Sequence, residues 1–261
     1  MTIVRQVTSR HNDLFKDLRK LLAEPAAYRK LGRVWIEGDH LCRALLERGR
    51  APVRAVVTES GWATPALEAL ARAAPEVVCV PDALMRELSG LESPSPLGFL
   101  IEADTAVVPQ PGRDTIVLDR LQDPGNVGSI LRTASAMGFA QVVALKGSVA
   151  LWSPKVLRAG MGAHFALALV EGAAIADVAA LGLPVVGTHL YDARWLHETT
   201  LPSPLAWVFG HEGQGMSDAV TAACTLRVRI AQPGGEESLN VAAAAAMCLY
   251  ESARQRGCVP Q

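Results

Sequence analysis

The chain has 261 residues, half of them hydrophobic, and a net charge of −1. This is enough material for one or two packed domains, and the charge balance excludes a protein that gathers nucleic acid by a global field. Cys42, Cys79, Cys224, Cys248 and Cys258 show neither metal nor redox spacing, no run reaches the length of a membrane span, and MTIVRQVTSRHND has no apolar signal core, so the expectation is a metal-free cytoplasmic soluble protein.

Helical and strand periodicities alternate along the first hundred residues. Short β-branched or aromatic runs at Arg33–Ile36, Val53–Thr58, Val77–Val80 and Gly98–Ile101 read as strands. Helices are predicted at Asn12–Ala23, Asp39–Glu47, Pro65–Ala73 and Asp82–Leu88, with Asn12, Asp39 and Asp82 as N-caps. Residues 1–33 carry eight Lys/Arg against three acids. Such an excess either solvates a helix face or follows a phosphate backbone. The stretch EADTAVVPQPGRD, residues 102–114, lacks either period and is punctuated by proline and glycine. It divides a first domain, 1–104, from a second, 115–261, with 105–114 as the linker.

In the second half the predicted strands are Thr115–Leu118, Gln141–Leu145, Phe165–Leu169, Val185–Thr188, Leu205–Phe209 and Leu226–Ile230. Helices are predicted at Asn126–Met137, Pro154–Ala159, Ala174–Leu181, Ser217–Ala223 and Ser238–Arg254. The alternation argues for an α/β fold with a mostly parallel sheet covered on both faces.

Ligands of such sheets bind beyond the carboxyl ends of the strands, and three loops there carry unusual residues. In LDRLQDPGNVGSILRT, Asp123-Pro124-Gly125 forms a turn, Asn126 caps the next helix, and Arg132 follows with no role in the helix dipole. In FGHEGQGMS, Gly210, Gly213 and Gly215 permit positive φ and close approach to a ligand. Glu212 among them is odd, since a plain anion site would exclude it; a carboxylate suits hydroxyls, an amine or local positive charge. In IAQPGGEESLNVAAAAA, Ser238 caps a long helix and Asn240 falls in its first turn. Each residue has an ordinary alternative: caps, a surface arginine, a turn acid. Neither G-K-[ST] nor G-x-G-x-x-G occurs in these loops, which argues against phosphate-loop and dinucleotide sites.

The three loops in this order, DPGNVGSILRTA, FGHEGQGMS and ESLNVAAA, resemble the three motifs of the SpoU (TrmH-type) RNA 2′-O-ribose methyltransferases of the SPOUT superfamily. SPKVLRAGMGAHF, residues 153–165, is similar to the segment between the first two motifs. TSRHN and WIEGDHL resemble the frequent N-terminal substrate-binding extension. The resemblance implies a knotted α/β domain with a deep trefoil, a ribosomal-protein-like α/β RNA-binding domain before it, and a homodimer. It implies S-adenosylmethionine as cofactor, with Gly210, Gly213, Ile230, Leu239 and Thr188 around it. Asn126, Arg132, Glu212, Ser238 and Asn240 become the catalytic polar set, with Arg132 facing the reacting nucleotide, from its own chain or from the partner. Arg10, Lys16, Arg19 and Lys20 in the extension, and Lys155 and Arg158 near the site, become RNA contacts or else remain surface charges. Methylation of rRNA is the implied reaction; tRNA methylation and a non-catalytic RNA-binding role are the alternatives. Two departures stand out. Position 211 is His, which either titrates near neutral pH or is an exposed turn residue. The stretch before the third motif reads Ile230-Ala231-Gln232, where the family often has Ile-Pro-Met.

Overall fold

The computed structural model describes residues 2–89, 93–235 and 238–258. In chain order the elements begin β1 (Ile3–Gln6), α1 (Asp13–Ala23), α2 (Tyr28–Leu31), β2 (Arg33–Glu37), α3 (Asp39–Glu47), β3 (Arg54–Thr58), α4 (Glu59–Trp62) and α5 (Pro65–Ala71). They continue β4 (Glu76–Val80), α6 (Asp82–Leu88), β5 (Leu97–Glu102), β6 (Thr115–Asp119), α7 (Pro124–Ala136), β7 (Gln141–Leu145), α8 (Pro154–Gly160), β8 (Ala168–Ala173) and α9 (Ile175–Ala179). Last come β9 (Val185–Thr188), β10 (Arg194–Trp195), β11 (Ala206–Gly210), α10 (Asp218–Ala223), β12 (Leu226–Arg229) and α11 (Val241–Gln255). The chain forms two compact units, Met1–Thr105 with Trp152–Phe165, and Ala106–Leu151 with Ala166–Gln261.

The first unit holds a five-stranded sheet in the order β1-β4-β3-β5-β2. β1, β4 and β3 are parallel, and β5 runs antiparallel to both β3 and β2. Helix α1 starts where Asn12 Oδ1 accepts the Leu14 N–H at 3.0 Å. Its Phe15, Leu18 and Leu21 recur at helical spacing and are buried. The Trp35 indole on β2 packs over Gly98 of β5, its diagonal neighbour in the register, because Gly98 has no side chain; a Cβ there would stand 2.3 Å from the indole and 2.7 Å from the Ile36 carbonyl oxygen. Helix α8 also belongs to this unit, burying Val156, Leu157 and Gly160. Strand β1 was not among the predicted strands: all four of its residues are exposed, so it shows no alternation of burial.

The second unit is a seven-stranded sheet in the order β10-β12-β9-β11-β6-β7-β8. Every pairing is parallel. β6, β7 and β11 are buried along their whole length, as strands covered on both faces must be. On one face Val117, Val143, Val170, Val208 and Val220 share a cluster. On the other, α11 packs on α7 and β11, and the Trp207 indole N–H donates to Ser252 Oγ at 2.8 Å inside the core. The strands β6, β7 and β8 are laid down toward one edge. β9 then starts the other half, β11 inserts between β9 and β6, and β12 passes outside β9. This reversal of strand order brings the ends of β6, β9, β11 and β12 side by side, where a crevice forms. The stretch 105–114 is hydrogen-bonded into this unit: Gln141 donates to the Gln110 carbonyl at 2.8 Å, and Gly112 N–H to Leu181 at 3.1 Å.

One predicted strand is displaced. Phe165–Leu169 begins in a 3-10 turn, Ala163–Ala166, and the strand is Ala168–Ala173. His164 and Phe165 are buried within that turn, so an apolar run marked burial without extension. Among the described residues no helix is long and apolar enough to cross a membrane, and no group of acidic, histidine and cysteine side chains is arranged to hold a metal.

Gly98→Ala forces either the Trp35 ring or the β2 backbone to move. We expect a loss of about 1–3 kcal/mol, the usual cost of overpacking, read as a lowered melting temperature in calorimetry.

Candidate active site

Glu212 sits at the tip of a tight hairpin that follows β11. His211 and Gly215 exchange two backbone hydrogen bonds, at 3.0 and 2.8 Å. The hairpin closes so tightly that a Cβ on Gly210 would lie 2.3 Å from the Gly215 carbonyl carbon and the Met216 nitrogen. Only Gly215, at φ +68, uses the left-handed region; Gly210 is required for close approach, and Gly213 has neither constraint. The His211 ring is half-buried and structural: Nδ1 accepts the N–H groups of Gly213 at 3.0 Å and Gln214 at 3.3 Å. The reading of His211 as an exposed turn residue is therefore corrected.

The carboxylate of Glu212 reaches across to the loop after β6. Oε1 accepts the Asp123 N–H at 3.0 Å and the Asn126 side-chain amide at 3.3 Å, and Oε2 accepts the Gln122 N–H at 3.2 Å. Partial burial alone would raise its pKa. These donors, with its own N–H, prevail and hold it below its ordinary value. Asn126 Oδ1 in turn accepts the Asn240 side-chain amide at 2.9 Å. Asn240 Oδ1 accepts the Ala242 and Ala243 N–H groups at 2.9 and 3.2 Å. One continuous polar chain thus ties the three motif loops together.

Four caps differ from expectation: Asp39 and Asp82 are the first residues of α3 and α6, behind Gly38 and Pro81 at the cap positions, and the other two lie in the motif loops. Asp123, not Asn126, caps α7, accepting the Asn126 N–H at 2.7 Å. Pro124 takes the first helical position, where its missing N–H costs nothing. Asn126 falls in the first turn and its side chain is free to face the other loops. Asn240, not Ser238, caps α11, which starts at Val241; Ser238 remains exposed outside the helix.

A second tie lies beneath the first. Asp119, 2 % exposed at the end of β6, accepts the Ser217 N–H at 2.6 Å and the Arg120 guanidinium at 3.1 Å. Arg120 also donates to Gln214 at 3.1 Å. Its backbone is held in the left-handed region, φ 60, while its N–H donates to Ser148 Oγ at 3.1 Å. A non-glycine residue there is strained and persists only when its surroundings hold it. Sequence reasoning passed over Asp119 and Arg120; the available signal was a carboxylate and an arginine at the end of an otherwise apolar strand.

Beside this network, at the ends of β9, β11 and β12, is a cavity of about 450 Å³, within the range of roughly 300–1,000 Å³ usual for small-ligand sites. Thr188, Gly210, Gly213, Ile230 and Leu239 line it, as do Glu212 and Ser238. Asn126 and Asn240 stand behind Glu212 and do not line it. Gln232, which replaces the family's methionine, does line it, and its Oε1 is buried with no hydrogen-bond partner among the described residues. Arg132 is apart: it is exposed on α7, and six residues on from Asn126 rotate it about 240° around the helix. Of the basic residues, Lys155 and Arg158 are exposed one turn apart on α8. Arg10 and Arg19 are exposed and Lys20 half-buried. Lys16 pairs with Asp13 at 2.8 Å and Arg19 with Glu87 at 3.8 Å.

A parallel sheet with glycine-turn and helix-cap loops around one crevice defines an α/β protein that takes a polar small molecule at its strand ends. The SpoU rRNA Methylase family model matches residues 114–250, which contain all three loops, and the chain belongs to that family. It is 31% identical to an uncharacterized tRNA/rRNA methyltransferase of Synechocystis sp., over 97% of this chain and 95% of the relative. It is also 31% identical to the 23S rRNA (guanosine-2′-O-)-methyltransferase RlmB of Pseudomonas putida, over 85% of this chain and 96% of the relative. The crystal structure of an AdoMet-bound rRNA methyltransferase from Sinorhizobium meliloti superposes with a TM-score of 0.84 at 27% identity, covering 98% of this chain and 99% of that one.

Because the folded pKa of Glu212 is depressed, its stabilising contribution is complete above its ordinary value of 4.5 and is lost as pH falls through the folded value. The melting temperatures of wild type and Glu212→Gln should therefore differ most at neutral pH and converge in acid. Asn240→Ala removes a helix cap and should destabilise the protein by about 1 kcal/mol, measured by urea denaturation.

Proposed function

We propose that the protein is an S-adenosylmethionine-dependent enzyme that methylates a ribose 2′-hydroxyl of ribosomal RNA. The observation that carries this reading is the Glu212–Asn126–Asn240 chain, which joins the three family motifs at the rim of one cavity. The cavity suits the cofactor: Ile230, Leu239 and Met216 offer apolar walls, and the unpartnered Gln232 Oε1 offers a buried acceptor for an amino or hydroxyl group. When bound, the sulfonium supplies an activated methyl group for in-line displacement. The names of the relatives favour rRNA over tRNA as substrate.

The chain's own residues orient the reactants. Gly210, Gly213, Thr188, Ile230 and Leu239 would hold the cofactor through backbone and apolar contacts. Glu212, kept ionised by its donors, fixes the hairpin that forms one wall, and Ser238 presents a hydroxyl to the cavity. Asn126 and Asn240 hold Glu212 and the third loop in register. The 2′-hydroxyl loses its proton during attack, and a guanidinium beside it stabilises the developing oxyanion. We assign that role to Arg132. It stands off its own cavity, unpaired among the described residues, which favours delivery across a homodimer. We read the second unit as the family's deep trefoil knot, supported by the late insertion of β11 between β9 and β6. The first unit we read as the RNA-binding domain, with Arg10, Lys16, Arg19 and Lys20 on one side, and Lys155 and Arg158 on α8, contacting phosphates. The corresponding setting is the cytoplasm, where rRNA is made.

Ribose-methylation mapping of total RNA, with and without the protein, tests the reading: one ribose should lose its methyl group when the gene is deleted. Arg132→Ala should lower methyl transfer by about 10²–10³-fold, as removal of an oxyanion donor does, with S-adenosylmethionine affinity unchanged in calorimetry. Arg132→Lys keeps the charge without the planar fork and should recover only part of the rate. A binding protein without catalysis would show no transfer in any variant.

A further inference from the structure

A second cleft, separate from the cofactor cavity, opens at the β10–β12 edge of the second sheet. Arg194, Arg227 and Arg229 line it, with Asp192 as the single acid. Arg227 pairs with Asp192 at 2.5 Å, which leaves two positive charges uncompensated. Arg229 lies opposite Trp195 in the strand register, and its guanidinium carbon sits 3.7 Å from the Trp195 ring centroid. Neither Arg194 nor Arg229 makes a hydrogen bond or ion pair among the described residues, and Arg229 Nε is buried without a partner. A guanidinium carries five N–H donors, and leaving a buried one unpaired costs free energy that a bound acceptor recovers. Stacking on Trp195 holds the fork flat and ready for an acceptor with two oxygens side by side, as a phosphodiester presents. Arg229 also lines the cofactor cavity, so the two clefts share a wall, and Tyr191 beside them is 74% exposed.

We propose that this cleft binds the phosphate backbone of single-stranded RNA and positions the strand next to the methylated nucleotide, with Tyr191 as a stacking surface for a base. The proposal rests on the RNA methyltransferase reading above. Cationic side chains interleaved with aromatic ones are the usual means of holding a single strand without reading its sequence. The cleft's charge and its position beside the cofactor cavity suit it to that task. Asp192 restrains Arg227 until a phosphate displaces it.

The test is the binding of a fluorescein-labelled 12-nucleotide oligouridylate, followed by anisotropy between 50 and 200 mM salt. In Arg194→Gln/Arg227→Gln the slope of log K against log salt should fall by about 1.4, at about 0.7 for each single-strand phosphate that is no longer neutralised. Asp192→Asn should bind more tightly than wild type, an opposite change that misfolding would not produce. In methyl transfer on deproteinised rRNA the double variant should raise KM for RNA and leave kcat and S-adenosylmethionine affinity in place. If the variants match wild type in slope and affinity while wild type methylates rRNA, this cleft is not an RNA site and the enzyme reading stands. If wild type neither binds S-adenosylmethionine nor methylates rRNA, the enzyme reading fails and this inference with it.

Discussion

One carboxylate organises the candidate site. Glu212 accepts donors from Gln122 and Asp123 on the loop after β6 and from Asn126 in the first turn of α7, although it stands on the hairpin after β11. Without it the Gln122 and Asp123 N–H groups would lose their acceptor. Its ionised form is favoured by the donors, and the donors are satisfied by its charge. Asn126 extends the arrangement to Asn240, so the start of α11 is fixed by the same chain that closes the hairpin. The side chains that look most chemical in the sequence thus serve first to hold three loops at one place. The cavity wall they create is their contribution to chemistry.

The sheet makes this convergence possible. Parallel strands place all their carboxyl ends on one side, and the insertion of β11 between β9 and β6 puts the motif loops side by side. Beneath Glu212, buried Asp119 repeats the device with Ser217 and Arg120. Two acids therefore tie the hairpin to the β6 end of the sheet, Glu212 reaching out from the hairpin at the rim and Asp119 reaching in from β6 in the core. The strained Arg120 backbone lies between them, as expected where a loop is over-determined by its partners.

Much of this was legible in the residues. The apolar runs of β6, β7, β9 and β11 are near-continuous, which marks strands buried on both faces, and the polar residues of the three motif loops stood out against them. What escaped has physical reasons. Asp123 and Asn126 are equally good caps by type, and only the fold decides which side chain turns back on the helix and which faces the neighbouring loop. Ser238 and Asn240 posed the same choice, resolved by the bond from Asn240 to Asn126. The run at Phe165 is apolar because it is buried, but it bends as a 3-10 turn. β1 pairs through its backbone with every side chain exposed, which leaves no periodic trace. The arginine cleft joins residues 194 and 229, brought together by strand pairing that no local pattern encodes.

The central claim is that Glu212 and Asn240 act as one unit to build a site for S-adenosylmethionine. A double-mutant cycle with Glu212→Ala and Asn240→Ala, read by calorimetric titration of the cofactor, tests it directly. The account predicts binding to wild type, weaker binding to each single variant, and a coupling energy above about 0.5 kcal/mol. No binding to wild type, or effects that add within about 0.3 kcal/mol, would contradict it.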